Sequence, residues 1–188
     1  MFASRGAVLG FLGRTLLALP VALALWYAAA PWLDALAAHI ARPAIAWMSA
    51  GSVAAPKLRG ERAYFSVRLQ APYAGARTAP PAEAELDVNA SLYTFGIALF
   101  AALSAGARFS RRAAPIAVGL AVLTLLPAWG VAFDVMKQLA TTRELAPYLG
   151  FSATTRTAIA FAFQVGSLML PTLAPVALWV ALNQRALR

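Results

Sequence analysis

Four apolar runs, each near the length needed to cross a lipid bilayer, dominate this chain and decide what it can fold into. They cover residues 15–33, 90–107, 113–133 and 157–182. A bilayer core of roughly 30 Å needs about 20 helical residues at about 1.5 Å each. Hydrophobic residues make up 61% of the 188 positions, against about 45–50% in an ordinary soluble domain. Lipid is therefore the expected solvent, and the expected architecture is a single, mostly helical membrane domain of about four spans.

The first run follows Arg5 and Arg14 and ends near Ala28-Ala29-Ala30, which has the look of a secretory signal. Cleavage after Ala30 would leave Pro31 at the first mature position, where proline blocks the peptidase, so an uncleaved anchor is expected. Trp26, Tyr27 and Trp32 then fall near its far interface, the depth that amphipathic rings favour. Residues 34–50 keep a weaker helical pattern, with Leu36, Ile40, Ala44 and Trp47 on one side, interrupted at Pro43. They read as a helix lying along the membrane surface.

Residues 51–89 change character. Phe65, Val67 and Leu69 alternate with Tyr64, Ser66, Arg68 and Gln70, and Ala84, Leu86 and Val88 alternate with Glu83, Glu85 and Asp87. Period-two alternation predicts two half-buried strands of a small antiparallel sheet, with Gly60 turning before the first and a loop from Pro72 to Pro81 between them. Some 40 residues bury too little to stand alone, so this segment is expected to lean on the membrane, on the surface helix or on a partner. Asn89 or Ser91 is placed to cap the second span, and this explains Asn89-Ala90-Ser91 better than glycosylation does. Pro115, Pro127, Pro171 and Pro175 predict kinks in the third and fourth spans.

Charge gives orientation. Arg5, Arg14, Arg108, Arg111, Arg112, Arg185 and Arg188 put seven basic and no acidic residues on one side of this topology, against nine basic and all seven acidic on the other. Arginine-rich short loops stay in the cytoplasm, so both ends are expected there and the β segment outside, although Arg42, Arg143 and Arg156 also fall outside. The formal charge of +9 is thus topological and gives no reason to expect nucleic acid.

Few residues offer chemistry. The chain has no cysteine and a single histidine, His39, which excludes thiol catalysis and leaves a zinc site or histidine triad without partners. His39 reads as an interfacial residue, and no metal or cofactor is expected. Asp134 and Lys137, three residues apart, share a helix face and can pair at the outer end of the third span. A structural ion pair is the plainer reading, and a polar path with Gln164 of the fourth span the functional one. Gln164, Ser167 and Thr172 otherwise serve as interhelical glue, while Gly96 and Gly166 allow close helix approach. A serine hydrolase using Lys57 or Lys137 lacks any arrangement that would bring nucleophile and base together.

Three stretches carry a family resemblance: Leu25-Trp26-Tyr27 with Ala30-Pro31-Trp32; Asn89 followed by Leu92-Tyr93 and Gly96; and Leu170-Pro171-Thr172-Leu173-Ala174-Pro175 followed by Trp179. In this order they resemble the small bacterial membrane proteins associated with exosortase H, a membrane-embedded sorting transpeptidase. Exosortases use a cysteine nucleophile with arginine and histidine partners. The resemblance therefore implies a non-enzymatic accessory subunit in a bacterial inner membrane, with its β segment in the periplasm and an exosortase-type enzyme as partner. Phe65, Leu86, Asn89 and Tyr93 are the candidate contacts, together with the polar positions Asp134, Lys137 and Gln164. The competing expectation is a small transporter or channel subunit, which with so few spans would have to be a homo-oligomer.

Overall fold

A computed structural model describes residues 5–70, 81–107 and 113–187. The loop expected between Pro72 and Pro81 and the arginines 108, 111 and 112 expected to stop the second span lie outside the described residues, save Pro81 itself. The chain is mostly helical, with one small antiparallel sheet.

Helix α1 runs unbroken over Arg5–Ser49 and includes Pro20, Pro31 and Pro43. The residues expected to form a separate surface helix, 34–50, thus follow the expected span at 15–33 within one continuous helix. Each proline removes one backbone donor, freeing the carbonyls of Leu16, Tyr27 and His39, but a helix tolerates such gaps where neighbours hold it. Here Ala37, Ala38, Ala41 and Ile45 are fully buried in the main core on either side of Pro43. Ile40, Ala44 and Trp47 share an apolar groove with Val122, Leu125 and Trp129 of α4 (Ala113–Thr141), so the second half of α1 lies beside α4.

Ala50, with a φ of 49°, and Gly51 turn the chain into the sheet. A Cβ on Gly51 would come within 2.7 Å of the Arg68 carbonyl, so only glycine allows that approach. Four strands follow: β1 (Ser52–Val53), β2 (Lys57–Arg59), β3 (Arg62–Leu69) and β4 (Ala82–Asn89). β3 is central, with β4 on one side and both β1 and β2 on the other, all antiparallel. Val53 pairs with Val67 and Lys57 with Tyr64. Four steps along one strand thus match three along the other, which places a β-bulge at Ala54-Ala55-Pro56. Gly60, at φ 61°, turns β2 into β3 through the two-residue loop Gly60-Glu61, and a positive φ at the first central residue alone is the type II′ pattern. As the alternation predicted, Ala63, Phe65, Val67, Leu69, Leu86 and Val88 point into the core. The opposite face carries the ion pairs Arg62–Asp87 and Arg68–Glu83.

After β4 come a single turn, α2 (Ser91–Thr94), and then α3 (Gly96–Gly106). Neither Asn89 nor Ser91 caps this helix: the position before it is Ala90, with no side-chain bond. Ser91 is drawn instead to a carboxylate of α1, described below. α4 continues eight residues past the expected end at 133, which puts Asp134, Lys137 and Gln138 on a helix. The short helix α5 (Ala146–Leu149) leads to α6 (Ala153–Gln164), capped by the Ser152 side chain on the Thr155 amide. A π-helical turn, Val165–Met169, joins α6 to α7 (Leu170–Leu187). There Pro171 has no amide to give, and the Thr172 hydroxyl bonds the Leu168 carbonyl at 2.6 Å.

Three helical stretches are long and apolar enough to cross a membrane: Arg5–Ser49, Ala114–Thr141 and Ala153–Asn183. The second of the four spans expected is the shorter Ser91–Gly106, about 24 Å long at 1.5 Å per residue. Arg14 near the start of α1 bonds the Gly106 carbonyl at 2.9 Å, and Asp34 meets Ser91, so the two helices are antiparallel. Likewise Gly119 and Gly130 of α4 accept the rings of Phe100 and Tyr93, and Gly130 abuts Gly166 of the π-helical turn. The order is up, down, up, down. Phe11, Phe100, Leu123 and Trp179 close the end remote from the sheet, and the larger core lies where α1 and α4 meet the sheet.

Candidate functional site

The polar groups inside the molecule gather where the sheet joins the helices, around the turn α2. Asp34 of α1 is 1% exposed. Its two oxygens accept hydrogen bonds from Ser91 Oγ at 2.5 Å and Thr94 Oγ1 at 2.8 Å. Thr94 Oγ1 in turn accepts from Trp26 Nε1 at 3.2 Å. Ser91 and Thr94 stand three apart, so a single helical turn presents both hydroxyls to one side. A buried carboxyl demands such donors, because leaving it without them costs several times what one hydrogen bond contributes.

Tyr93, on the other side of the same turn, donates its hydroxyl to Asp134 Oδ2 at 2.9 Å. Asp134 Oδ1 is 3.2 Å from Lys137 Nζ and 3.3 Å from Gln138 Nε2. Gln138 also donates to the Asp87 carbonyl on β4 at 2.9 Å, and Lys137 lies 3.6 Å from the centre of the Phe163 ring on α6. Three of the four residues of α2 therefore bind two carboxylates on two different helices. Through Gln138, the second carboxylate is tied to the sheet.

Glycine makes room for this turn. The Tyr93 ring lies against Gly130, where an added Cβ would overlap it, so no side chain larger than hydrogen fits there. Immediately afterwards Gly96 sits against the Pro171 carbonyl, which a Cβ would approach to 2.6 Å. Pro175, four residues beyond Pro171, has no N–H to satisfy that carbonyl. The Gly96 backbone thus covers an acceptor that the helix itself leaves open.

Of the residues singled out from the sequence, Tyr93, Asp134 and Lys137 come together here. Gln164 is exposed on α6 and is not brought to them, so no polar path links the three. Phe65 is fully buried and Leu86 is 8% exposed. Both support the sheet from beneath and offer no surface to a partner, which corrects their assignment as contacts. Asn89 ends β4 with its side-chain oxygen buried and unbonded among the described residues. His39 is exposed, its Nδ1 2.8 Å from the Ala35 carbonyl. Sequence reasoning missed Asp34, Ser91, Thr94 and Gln138. A usable signal existed: Asp34 is the lone acid directly after the first apolar run, and Ser91-x-x-Thr94 opens the next.

A family model, that of the exosortase H-associated membrane protein, matches residues 5–186. The chain belongs to this family. The exosortase H-associated proteins are membrane proteins by description, in keeping with three helical stretches long and apolar enough to cross a membrane. No curated protein and no solved structure matches the chain.

Proposed function

We propose that this exosortase H-associated protein is a non-enzymatic partner subunit of an exosortase-type sorting enzyme in a bacterial inner membrane. The observation that carries the reading is the family match across 5–186, nearly the whole chain, so the association in the family's name belongs to this architecture as a unit. The composition agrees: without cysteine the chain has no thiolate of the kind exosortases use, and its buried carboxylates are occupied in holding elements together. α3 is read as a fourth, short crossing. With it, the alternating order of helices would leave both ends on one side, and the arginine excess expected there supports reading that side as the cytoplasm. The sheet then stands on the periplasmic side, where sorted proteins would be met.

The test is extraction of the tagged full chain from its own membrane in mild detergent, with mass spectrometry of what accompanies it. A multi-span enzyme with a cysteine nucleophile is expected to co-purify in near-stoichiometric amount. Recovery of the chain alone, or as a homo-oligomer only, overturns the reading and turns attention to transport.

A further inference from the structure

The two edges of the sheet are built differently. On one, β1 and β2 are two and three residues long, broken by the bulge at Pro56, and β2 carries Lys57 and Arg59. Short strands, proline, bulges and lysine are the devices by which proteins keep a sheet edge from pairing. The other edge, β4, has none of them. It is eight residues long, in continuous register with β3 from Ala82 to Asn89, and contains no proline or lysine.

The direction of its backbone groups follows from two independent contacts. The Ala54 amide bonds the Ser66 carbonyl at 3.0 Å, so Ser66 turns its groups toward β1 and away from its β4 partner, Glu85. Across the strand, the Asp87 carbonyl faces Gln138 rather than β3. In an antiparallel pair such residues alternate, so Glu83, Glu85 and Asp87 all direct amide and carbonyl outward. Gln138 takes only the last of these, and the outward groups of Glu83 and Glu85 have no partner among the described residues.

The same edge is where the acid is. The chain has seven acidic residues against sixteen basic ones, and Glu83, Glu85 and Asp87 put three of the seven on one strand that has no basic residue. Arg68 and Arg62 engage Glu83 and Asp87, whereas Glu85 stands opposite Ser66 and has no ion pair among the described residues. We propose that the outer edge of β4 accepts an extended, basic segment of the partner protein as an added strand, with a lysine or arginine of that segment placed beside Glu85. This rests on the partner-subunit reading above. A second copy of this chain is the poorer occupant. Edge-to-edge pairing of two β4 strands would set glutamates against glutamates, and the opposite edge of a copy is interrupted by its bulge.

The test uses the full chain with its co-purifying enzyme. Glu85→Lys reverses the charge and leaves every β3–β4 bond intact. Glu85→Pro removes the outward amide, which the ladder does not use. Glu61→Lys, in the β2–β3 turn, is the charge control. Each variant is first shown to keep the wild-type denaturation midpoint. Both Glu85 variants are expected to retain at least tenfold less enzyme, and Glu61→Lys as much as wild type. Because the chain has no cysteine, Glu85→Cys also allows single-site cross-linking, expected to give an adduct on a lysine- or arginine-bearing segment of the enzyme. Equal retention by wild type and both Glu85 variants overturns the strand-addition proposal and leaves the partner reading standing. An adduct only to a second copy also overturns it. Failure of wild type itself to retain an enzyme overturns the partner reading, and this proposal with it.

Discussion

Replacing Asp34 by alanine removes the acceptor shared by Ser91 and Thr94, and the structure fixes how large the loss should be. Two hydroxyl donors lose a carboxyl at 2.5 and 2.8 Å in a place where Asp34 and Thr94 are each 1% exposed. A buried donor left unpaired costs about 1–3 kcal/mol, while side-chain bonds between membrane helices average nearer 0.6 with a maximum of about 1.7. Thr94 can turn back to the Ala90 carbonyl four residues earlier and recover part of its share; Ser91, preceded by a strand, has no such carbonyl. The sum comes to about 2 kcal/mol, roughly a 30-fold shift in the folding equilibrium. Asp34→Asn keeps an acceptor oxygen and the same shape and should lose less than half as much. The assay is reversible denaturation in mixed detergent micelles followed by tryptophan fluorescence, with Trp26 reporting through its bond to Thr94. Once Asp34 is alanine, Ser91→Ala should cost almost nothing, since removing both partners is nearly neutral. An Asp34→Ala loss below about 0.5 kcal/mol on this assay, or equal losses for alanine and asparagine, would refute the reasoning, because either result means that the two hydroxyls do not depend on the carboxyl.

Three further substitutions probe the junction and the sheet. Gly96→Ala places a methyl 2.6 Å from the Pro171 carbonyl and 2.9 Å from Pro175 Cγ; forcing α3 from α7 should cost about 1–3 kcal/mol on the same denaturation curve, and an unchanged midpoint would show that the helices are not in that contact. Tyr93→Phe removes the bond to Asp134 and should lower stability by about 0.6–1.7 kcal/mol, with little added loss when combined with Asp134→Ala; full additivity would count against the pair. Phe65→Asp puts an unpaired carboxyl in a fully buried position and should expose the sheet to limited proteolysis while the helices stay protected, so wild-type resistance would contradict its place in the core.

Much of the fold was legible because each element obeys a local period. The strands around Phe65 and Leu86 alternate cleanly, and Gly60 marks its turn without tertiary help. The long apolar runs likewise announce helices. What failed was local reasoning about boundaries. Pro43 reads as a break, yet Ala41 and Ile45 are held in the core on both sides of it, and that packing is invisible from within the segment. Ser91 looks like a cap because it precedes an apolar helix; its hydroxyl goes to a residue 57 positions away. At the candidate site, Tyr93 and the Asp134–Lys137 pair could be marked from residue type and spacing. Asp34 could not be joined to them, because the connection runs through a four-residue turn whose two sides matter only in three dimensions.

That turn also bears on what a strand bound at β4 would do. Between Asn89 at the end of β4 and Gly96 at the start of α3 there is no flexible linker: Ala90 is fully buried, Ser91 and Thr94 are bonded to α1, and Tyr93 is bonded to α4. Gln138 braces the strand itself from α4. Two of the sheet's four strands are only two and three residues long, and so small a sheet relies on packing against helices, so its position is set by these bonds and by the core beneath it. A segment added at Glu85 would therefore be held at one height and one angle relative to the helices. Loosening the turn, as in Asp34→Ala, should weaken that capture even though no residue of the edge has changed.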